Sequence, residues 1–180
     1  ENIQREDLTI QEQAQGFQMM LDLGDTEDQI AEKTGFSKST VRHRLNIAKL
    51  DQEKLKEKQQ DDAFQLTLKD LYELEKIKDV EMRNEILDKA SSSRDIVSRV
   101  QNEITNAKKK ENAKKLKAKL KKMGVEKAPE QYSQQMYNGK WKTVIEFNLA
   151  DDVPDEINLP EQKGQMYWYE MWRDLRIVTK

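Results

Sequence analysis

A basic segment that contains no acidic residue stands out in an otherwise acid-rich first half of the chain. It runs from Ser37 to Leu50 and reads SKSTVRHRLNIAKL. Lys and Arg side chains bind phosphate, and Arg can pair bidentately with guanine, a contact worth roughly 1–3 kcal/mol of discrimination. Hydroxyl side chains at a helix N-terminus can also reach phosphate oxygens or base edges. The candidate contacts to nucleic acid are Ser37, Lys38, Ser39, Thr40, Arg42, His43, Arg44 and Lys49.

Two helices and a tight turn would hold this segment in place. Thr26 is a good N-cap for a first helix, and Ser37 is a good cap for a second helix that ends near residue 50. Gly35 suits the left-handed turn between them. Small and apolar residues for packing the two helices recur at the spacing that a helix-turn-helix needs, namely Ile30, Ala31, Val41 and Leu45. The spacing therefore predicts a helix-turn-helix over residues 26–50.

The alternative is an ordinary helical hairpin whose exposed face happens to be basic. The absence of acidic residues over fourteen positions and the SKST cap favour DNA as the ligand. His43 is the only histidine, and we expect it to face a DNA groove or solvent rather than to act as a metal ligand or base. The sequence contains no nucleophile elbow, phosphate loop or metal-ligand pattern, so we expect no enzymatic activity in this segment.

Composition narrows the class of protein further. The chain has 180 residues, of which 36% are hydrophobic and 37% charged, a balance typical of amphipathic helices. It has no cysteine, which excludes disulfides and Cys-ligated metal sites and fits a reducing cytoplasm. No apolar run approaches the roughly 20 residues that a membrane span requires. The net charge of −2 is the sum of basic and acidic segments whose charges nearly cancel.

Hydrophobic periodicity predicts a mainly α fold: a multi-helix domain with a helix-turn-helix, a long basic helix, and a small α+β C-terminal module. Helices are predicted over 8–23, 26–34, 37–50, 51–60, 67–77, 80–89 and 94–122. Alternation from Trp141 to Leu149 predicts a strand, and residues 167–169 and 177–178 suggest two more, although 171–175 would equally suit a helix. We expect three segments: the DNA-binding domain at 1–107, a lysine-rich helix or linker at 108–127, and the β-containing module at 128–180.

The lysine-rich segment at 108–127 has ten basic and two acidic side chains, a net charge of +8. One interpretation is contact with DNA phosphates that is independent of sequence and strongly dependent on salt. The other is a solvated connecting helix, because charge runs often serve only to keep a linker extended. If the segment is helical, Leu116 and Leu120 form a narrow apolar stripe, which Met123 or Ala113 extends.

Two stretches together resemble a known family. Residues 1–8, ENIQREDL, are similar to the ENxQRxxL box of ParB-like partition proteins, which include nucleoid-occlusion and KorB-type relatives. Residues 26–41 then match the family's TxxxIAxxxGxSxSTV helix-turn-helix pattern at the right distance. The resemblance covers about residues 1–105. Because the chain begins at Glu1, inside the box, we expect it to be a piece of a longer protein.

The resemblance implies a bacterial, nucleoid-associated protein that binds double-stranded DNA as a homodimer, with a possible partition ATPase as partner. It would serve plasmid, chromosome or phage partition, or transcriptional control. In the family, a preceding domain binds CTP with a metal such as Mg²⁺, and the matching box residues here are Glu1, Asn2, Gln4 and Arg5. The phosphate loop that completes that site is absent here, so we expect this fragment alone to need no cofactor.

The sequence also departs from the family pattern. Tyr72 stands where many chromosomal members have an Arg that contacts DNA, and Lys69 is a candidate substitute cation. Glu27 stands where many relatives have Gln. These differences favour a divergent operator on a mobile element over the usual chromosomal partition site. An alternative function is a protein-interaction scaffold that uses the aromatic C-terminal module, with non-specific DNA contact through the lysine run.

Overall fold

A computed structural model describes residues 8–61, 63–161 and 163–180. The chain divides into two compact units, of which the first runs to Asn102 and the second from Glu103 to Lys180. The predicted segments were 1–107, 108–127 and 128–180, whereas this division places the lysine-rich segment in the same unit as the strands. No helix in the described parts of the chain combines the length and apolar character that crossing a membrane requires.

Three short helices open the first unit, and each begins at a hydroxyl side chain. They are α1 (Ile10–Asp22), α2 (Glu27–Thr34) and α3 (Lys38–Ala48). Thr9 and Thr26 form capping boxes with Glu12 and Gln29, which satisfies backbone N–H groups that have no partner within the helix. Gly35 ends α2 with a φ of 78°, the left-handed conformation expected of its position.

The remaining helices of the first unit pack around a separate apolar cluster. They are α4 (Gln52–Gln60), α5 (Leu68–Leu74), α6 (Val80–Lys89) and the first part of α7 (Ser93–Lys122). Asp51, Thr67 and Asp79 cap α4, α5 and α6. The apolar faces of these four helices pack together with Ile47, which lies near the end of α3. This cluster therefore fixes the C-terminal end of α3. The fully buried members of the cluster are Ala14, Ile47, Leu55, Leu74, Leu87, Ala90, Ile96 and Val100.

The second unit is a small mixed sheet against which the basic half of α7 packs. Its elements after α7 are β1 (Glu126–Lys127), α8 (Gln131–Gln135), β2 (Lys142–Asn148), β3 (Met166–Glu170) and β4 (Asp174–Thr179). The strand order is β1-β3-β4-β2, with β1 parallel to β3 and the other neighbours antiparallel. The apolar stripe of α7 packs into the sheet's core with Leu175 and Ile177.

The structure confirms the predicted fold class, with helices in the first unit and a small α+β module at the C-terminus. The apolar stripe of α7 includes Ala113, which is 2% exposed, and not Met123, which is 41% exposed. The alternative helix over 171–175 does not form. Instead the Met171 N–H donates a 2.7 Å hydrogen bond to the Asp174 carbonyl, which closes a turn, and Leu175 lies in β4.

Candidate nucleic-acid interface

A small apolar cluster holds α2 and α3 at a fixed crossing and leaves one face of α3 outside. Ile30 of α2 and Val41 of α3 are fully buried, and Leu45 and Phe17 are 4% and 5% exposed. The rings of Phe17 and Phe36 meet edge to face at 5.6 Å, which joins α1 to the loop before α3. This packing is what a helix-turn-helix needs to present its second helix as a rigid rod.

The N-terminal turn of α3 is exposed and carries short polar side chains. Ser37 Oγ accepts a 3.1 Å hydrogen bond from the Thr40 backbone N–H and therefore caps the helix. Ser37, Lys38 and Ser39 are all exposed, and Thr40 is half-buried. In a helix-turn-helix these are the positions that reach base edges and the adjoining phosphates.

Two acidic residues at the start of α2 pair with the basic residues of this surface. Arg42 donates from Nε and Nη2 to Glu27 Oε2, at 3.2 and 3.0 Å. Lys38 Nζ lies 2.7 Å from Asp28 Oδ1. Both pairs remain largely open to solvent, with the Arg42 side chain 60% and the Lys38 side chain 50% exposed. The basic surface of α3 is therefore partly neutralised from within its own motif.

Arg44 lies on the opposite side of α3 from this exposed surface. It is only 7% exposed, and its Nε donates to Gln13 Oε1 at 3.0 Å while Nη1 donates to Tyr72 Oη at 3.2 Å. Arg44 was predicted as a DNA contact, whereas the structure buries its side chain. The spacing between Val41, Arg44 and Leu45 places all three on the buried side of the helix, where the guanidinium joins α3 to α1 and α5.

His43 takes part in a second set of contacts between α3 and α5. Its ring stacks on Tyr72 with centroids 4.1 Å apart, and its Nδ1 lies 2.8 Å from Glu75 Oε2. Asn46 Nδ2 donates to the same Glu75 oxygen at 3.2 Å. The His43 side chain remains 33% exposed, so part of it is accessible to solvent. Tyr72 thus supports both His43 and Arg44.

The other predicted contact residues lie at separate places in the first unit. Lys49 is exposed at the C-terminus of α3, with its Nζ 3.4 Å from Asn46 Oδ1. Lys69 is exposed in the first turn of α5. The box residues Glu1, Asn2, Gln4 and Arg5 lie outside the described residues.

Sequence reasoning did not find the residues that support α3 from outside the motif. Gln13 lies on α1, Tyr72 lies on α5 and Glu75 directly follows α5 as its C-cap. Their contacts with α3 span 28 to 32 positions of sequence. A usable signal was present, because Tyr72 and Glu75 are three residues apart and so share a helix face. Among the described residues, no group of three or more His, Asp or Glu side chains is arranged to hold a metal ion.

Eight of the ten lysines in the lysine-rich segment of the second unit fall into two groups of side chains. One group makes contacts within the unit: Lys108 pairs with Asp152, Lys115 with Glu111, and Lys117 with Glu170. Lys119 donates to the backbone carbonyls of residues 154 and 155. The other group is exposed and forms no ion pair within the described chain, and it consists of Lys110, Lys114, Lys121 and Lys122.

We predict that replacing Lys110, Lys114, Lys121 and Lys122 with Gln lowers the salt dependence of DNA binding. Each lost phosphate contact should reduce the slope of log K against log salt concentration by about 0.9. The matched control replaces Lys140, Lys142, Lys163 and Lys180, which are exposed in the same unit, lie outside the lysine-rich segment and carry the same total charge. Equal slopes for the wild type and the first variant, measured by fluorescence anisotropy, would identify the segment as a solvated helix.

Known proteins are similar to the part of the chain that contains the helix-turn-helix. A family model described as the ParB HTH domain matches residues 6–109, which is more than half of the chain. The chromosome-partitioning protein Spo0J of Thermus thermophilus is 42% identical over 55 residues, or 31% of this chain. The match covers 20% of that relative's own length. The resemblance predicted from the box and the helix-turn-helix pattern is confirmed, and the chain belongs to the ParB HTH domain family.

Proposed function

We propose that this chain binds double-stranded DNA sequence-specifically, with α3 as the recognition helix in the major groove. The observation that carries the proposal is the exposed N-terminal half of α3. It presents Ser37, Lys38, Ser39 and Arg42 on one surface while Val41 and Leu45 hold the other side in the core. His43, Lys49 and Lys69 are proposed as further contacts outside this surface. The N-terminal turns of a recognition helix are the part that reads base edges.

Membership of the ParB HTH domain family and the similarity to a chromosome-partitioning protein support a role in DNA partition. Transcriptional control of a mobile element is the other setting in which the same binding would serve. In either setting we propose a nucleoid-associated bacterial protein of the cytoplasm. We also propose that it acts as a homodimer, because helix-turn-helix proteins commonly read two half-sites, and that a partition ATPase is a partner.

The experiment that tests the proposed function is selection of bound duplexes from a random DNA pool. We expect an enriched motif with two inverted half-sites, because a symmetric dimer reads a palindrome. Enrichment of no sequence above the starting pool would contradict specific binding. A single unrepeated half-site would support specificity and contradict the dimer.

We predict that this chain alone neither binds nor hydrolyses CTP appreciably. The residues of the nucleotide box are present at Glu1, Asn2, Gln4 and Arg5, but the sequence contains no phosphate loop to hold the triphosphate. CTP with Mg²⁺ remains a proposed cofactor of the intact protein. Calorimetric titration with CTP and Mg²⁺, together with an assay for released phosphate, checks the prediction, and measurable turnover would contradict it.

A second candidate function is a protein-interaction scaffold based on the second unit. The observation in its favour is the exposure of two aromatic side chains, Trp172 at 79% and Tyr137 at 86%. Aromatic residues are enriched at protein interfaces. Lys109 Nζ lies 4.8 Å from the centroid of the Trp172 ring, so a cation accompanies the exposed indole.

All three Trp lie in the second unit. DNA contact through that unit should therefore change Trp fluorescence, whereas contact through α3 alone should not.

A further inference from the structure

The ion pair between Arg42 and Glu27 has a specific geometry. Both Nε and Nη2 of Arg42 donate to the single oxygen Glu27 Oε2. The Glu27 side chain is 33% exposed and lies in the first turn of α2, so the contact joins the two helices of the motif across the turn. Arg42 is thus held along one edge of its guanidinium.

The pair with Glu27 leaves a second, adjacent edge of the guanidinium available. Arg carries five N–H donors in a planar fork, and the pair with Glu27 uses the edge between Nε and Nη2. The edge between Nη1 and Nη2 can still donate two parallel hydrogen bonds, which is the pattern that guanine O6 and N7 accept. Because Glu27 already fixes the plane of the fork, less side-chain freedom is lost when Arg42 meets a base.

The same acidic residue makes Arg42 a poorer phosphate ligand. Sequence-independent binding depends on cations that neutralise phosphates, and a carboxylate 3.0 Å from the guanidinium offsets its charge locally. Asp28 has the corresponding effect on Lys38, at 2.7 Å. The acidic residues at the start of α2 therefore weaken contacts with phosphates, which every DNA sequence offers. They leave contacts with bases possible.

We infer that Glu27 is a positioning residue that makes Arg42 a reader of guanine rather than a clamp on phosphate. This inference rests on the proposed function, since it requires that α3 enters the major groove. The expected partner of the free edge of Arg42 is a guanine in each half-site.

The test uses the sequence selected by the wild-type chain and the variants Glu27→Ala and Arg42→Ala. The base pair read by Arg42 is the one whose preference Arg42→Ala removes. At that base pair we expect Glu27→Ala to reduce the preference for guanine by about fivefold or more. Its affinity for unrelated duplexes should rise, because one negative charge near phosphate is removed. In the Arg42→Ala background, Glu27→Ala should change the base preference no further.

Glu32→Ala is the matched control, because Glu32 is exposed on the same helix and forms no ion pair within the described residues. It should leave the base preference unchanged. Glu27→Gln retains an oxygen that can accept from Arg42, so it should retain more of the preference for guanine than Glu27→Ala.

Equal gains in specific and non-specific affinity for Glu27→Ala, with an unchanged base preference, would show that Glu27 acts by charge alone and would overturn the inference. Arg42→Ala without a lost base preference would also overturn it. Failure of the wild-type chain to select any sequence would instead contradict the proposed function.

Discussion

Replacing Arg42 with Glu is expected to weaken binding to the selected DNA site by about 100-fold. The change removes the guanidinium that faces the groove in the proposed complex and places a carboxylate near phosphates. The Arg42 side chain is 60% exposed and its only described ion pair is with Glu27. The free energy of unfolding should therefore fall by less than about 1 kcal/mol. Competition binding against an unrelated duplex, together with urea unfolding, measures both quantities.

Lys56→Glu is the control for this charge reversal. Lys56 is exposed on α4 and forms no ion pair among the residues that the structure describes. It gives the same change in net charge at a site away from α3. Equal losses of affinity in the Arg42 and Lys56 variants would mean that total charge governs binding, which would contradict the assignment of α3 as the recognition helix.

Replacing Arg44 with Ala is expected to lower the free energy of unfolding of the first unit by about 2–3 kcal/mol. The guanidinium is 7% exposed and hydrogen bonds to Gln13 and Tyr72, so the change removes two charge-assisted contacts that join α3 to α1 and α5. The midpoint of thermal unfolding should fall by about 10 °C or more. Circular dichroism at 222 nm follows the helices through this transition.

Arg42→Ala is the matched control for Arg44→Ala, because it removes the same charge from the same helix at an exposed position. Arg42→Ala should leave the midpoint nearly unchanged and weaken specific binding. Arg44→Ala should do the reverse at temperatures where the variant stays folded. A normal midpoint for Arg44→Ala, combined with a large loss of affinity, would contradict the structural role and restore Arg44 to the DNA contact surface.

Local signals were enough to predict α1 to α7 and the helix-turn-helix, whereas the short helix α8 was not predicted. Thr26, Gly35 and Ser37 determine where α2 and α3 begin and end through hydrogen bonds within a few residues, so a single sequence contains the needed information. The same holds for β2, whose alternating side chains indicate a sheet with two different faces. The family membership followed from the box and from the spacing of Ile30, Ala31 and Val41.

Contacts between distant elements could not be predicted in the same way. The charge of Arg44 indicated an exposed side chain, whereas its position beside Val41 and Leu45 on the helix placed it inside, and packing outweighed charge. The pairing of Arg42 with Glu27 depends on how α2 crosses α3, which composition does not determine. The strand order of the second unit likewise depends on pairings such as the parallel β1–β3 contact, which no local pattern indicates.

The most direct test of DNA recognition by α3 is an NMR titration of the whole chain with the selected duplex. Amide chemical-shift changes should concentrate in residues 37–43 and at Lys49 and Lys69, because these contain the proposed DNA contacts. Changes in the lysine-rich half of α7 should vanish at higher salt, while those in α3 persist. Shift changes confined to residues 103–180, with α3 unaffected, would contradict the claim that the helix-turn-helix reads DNA.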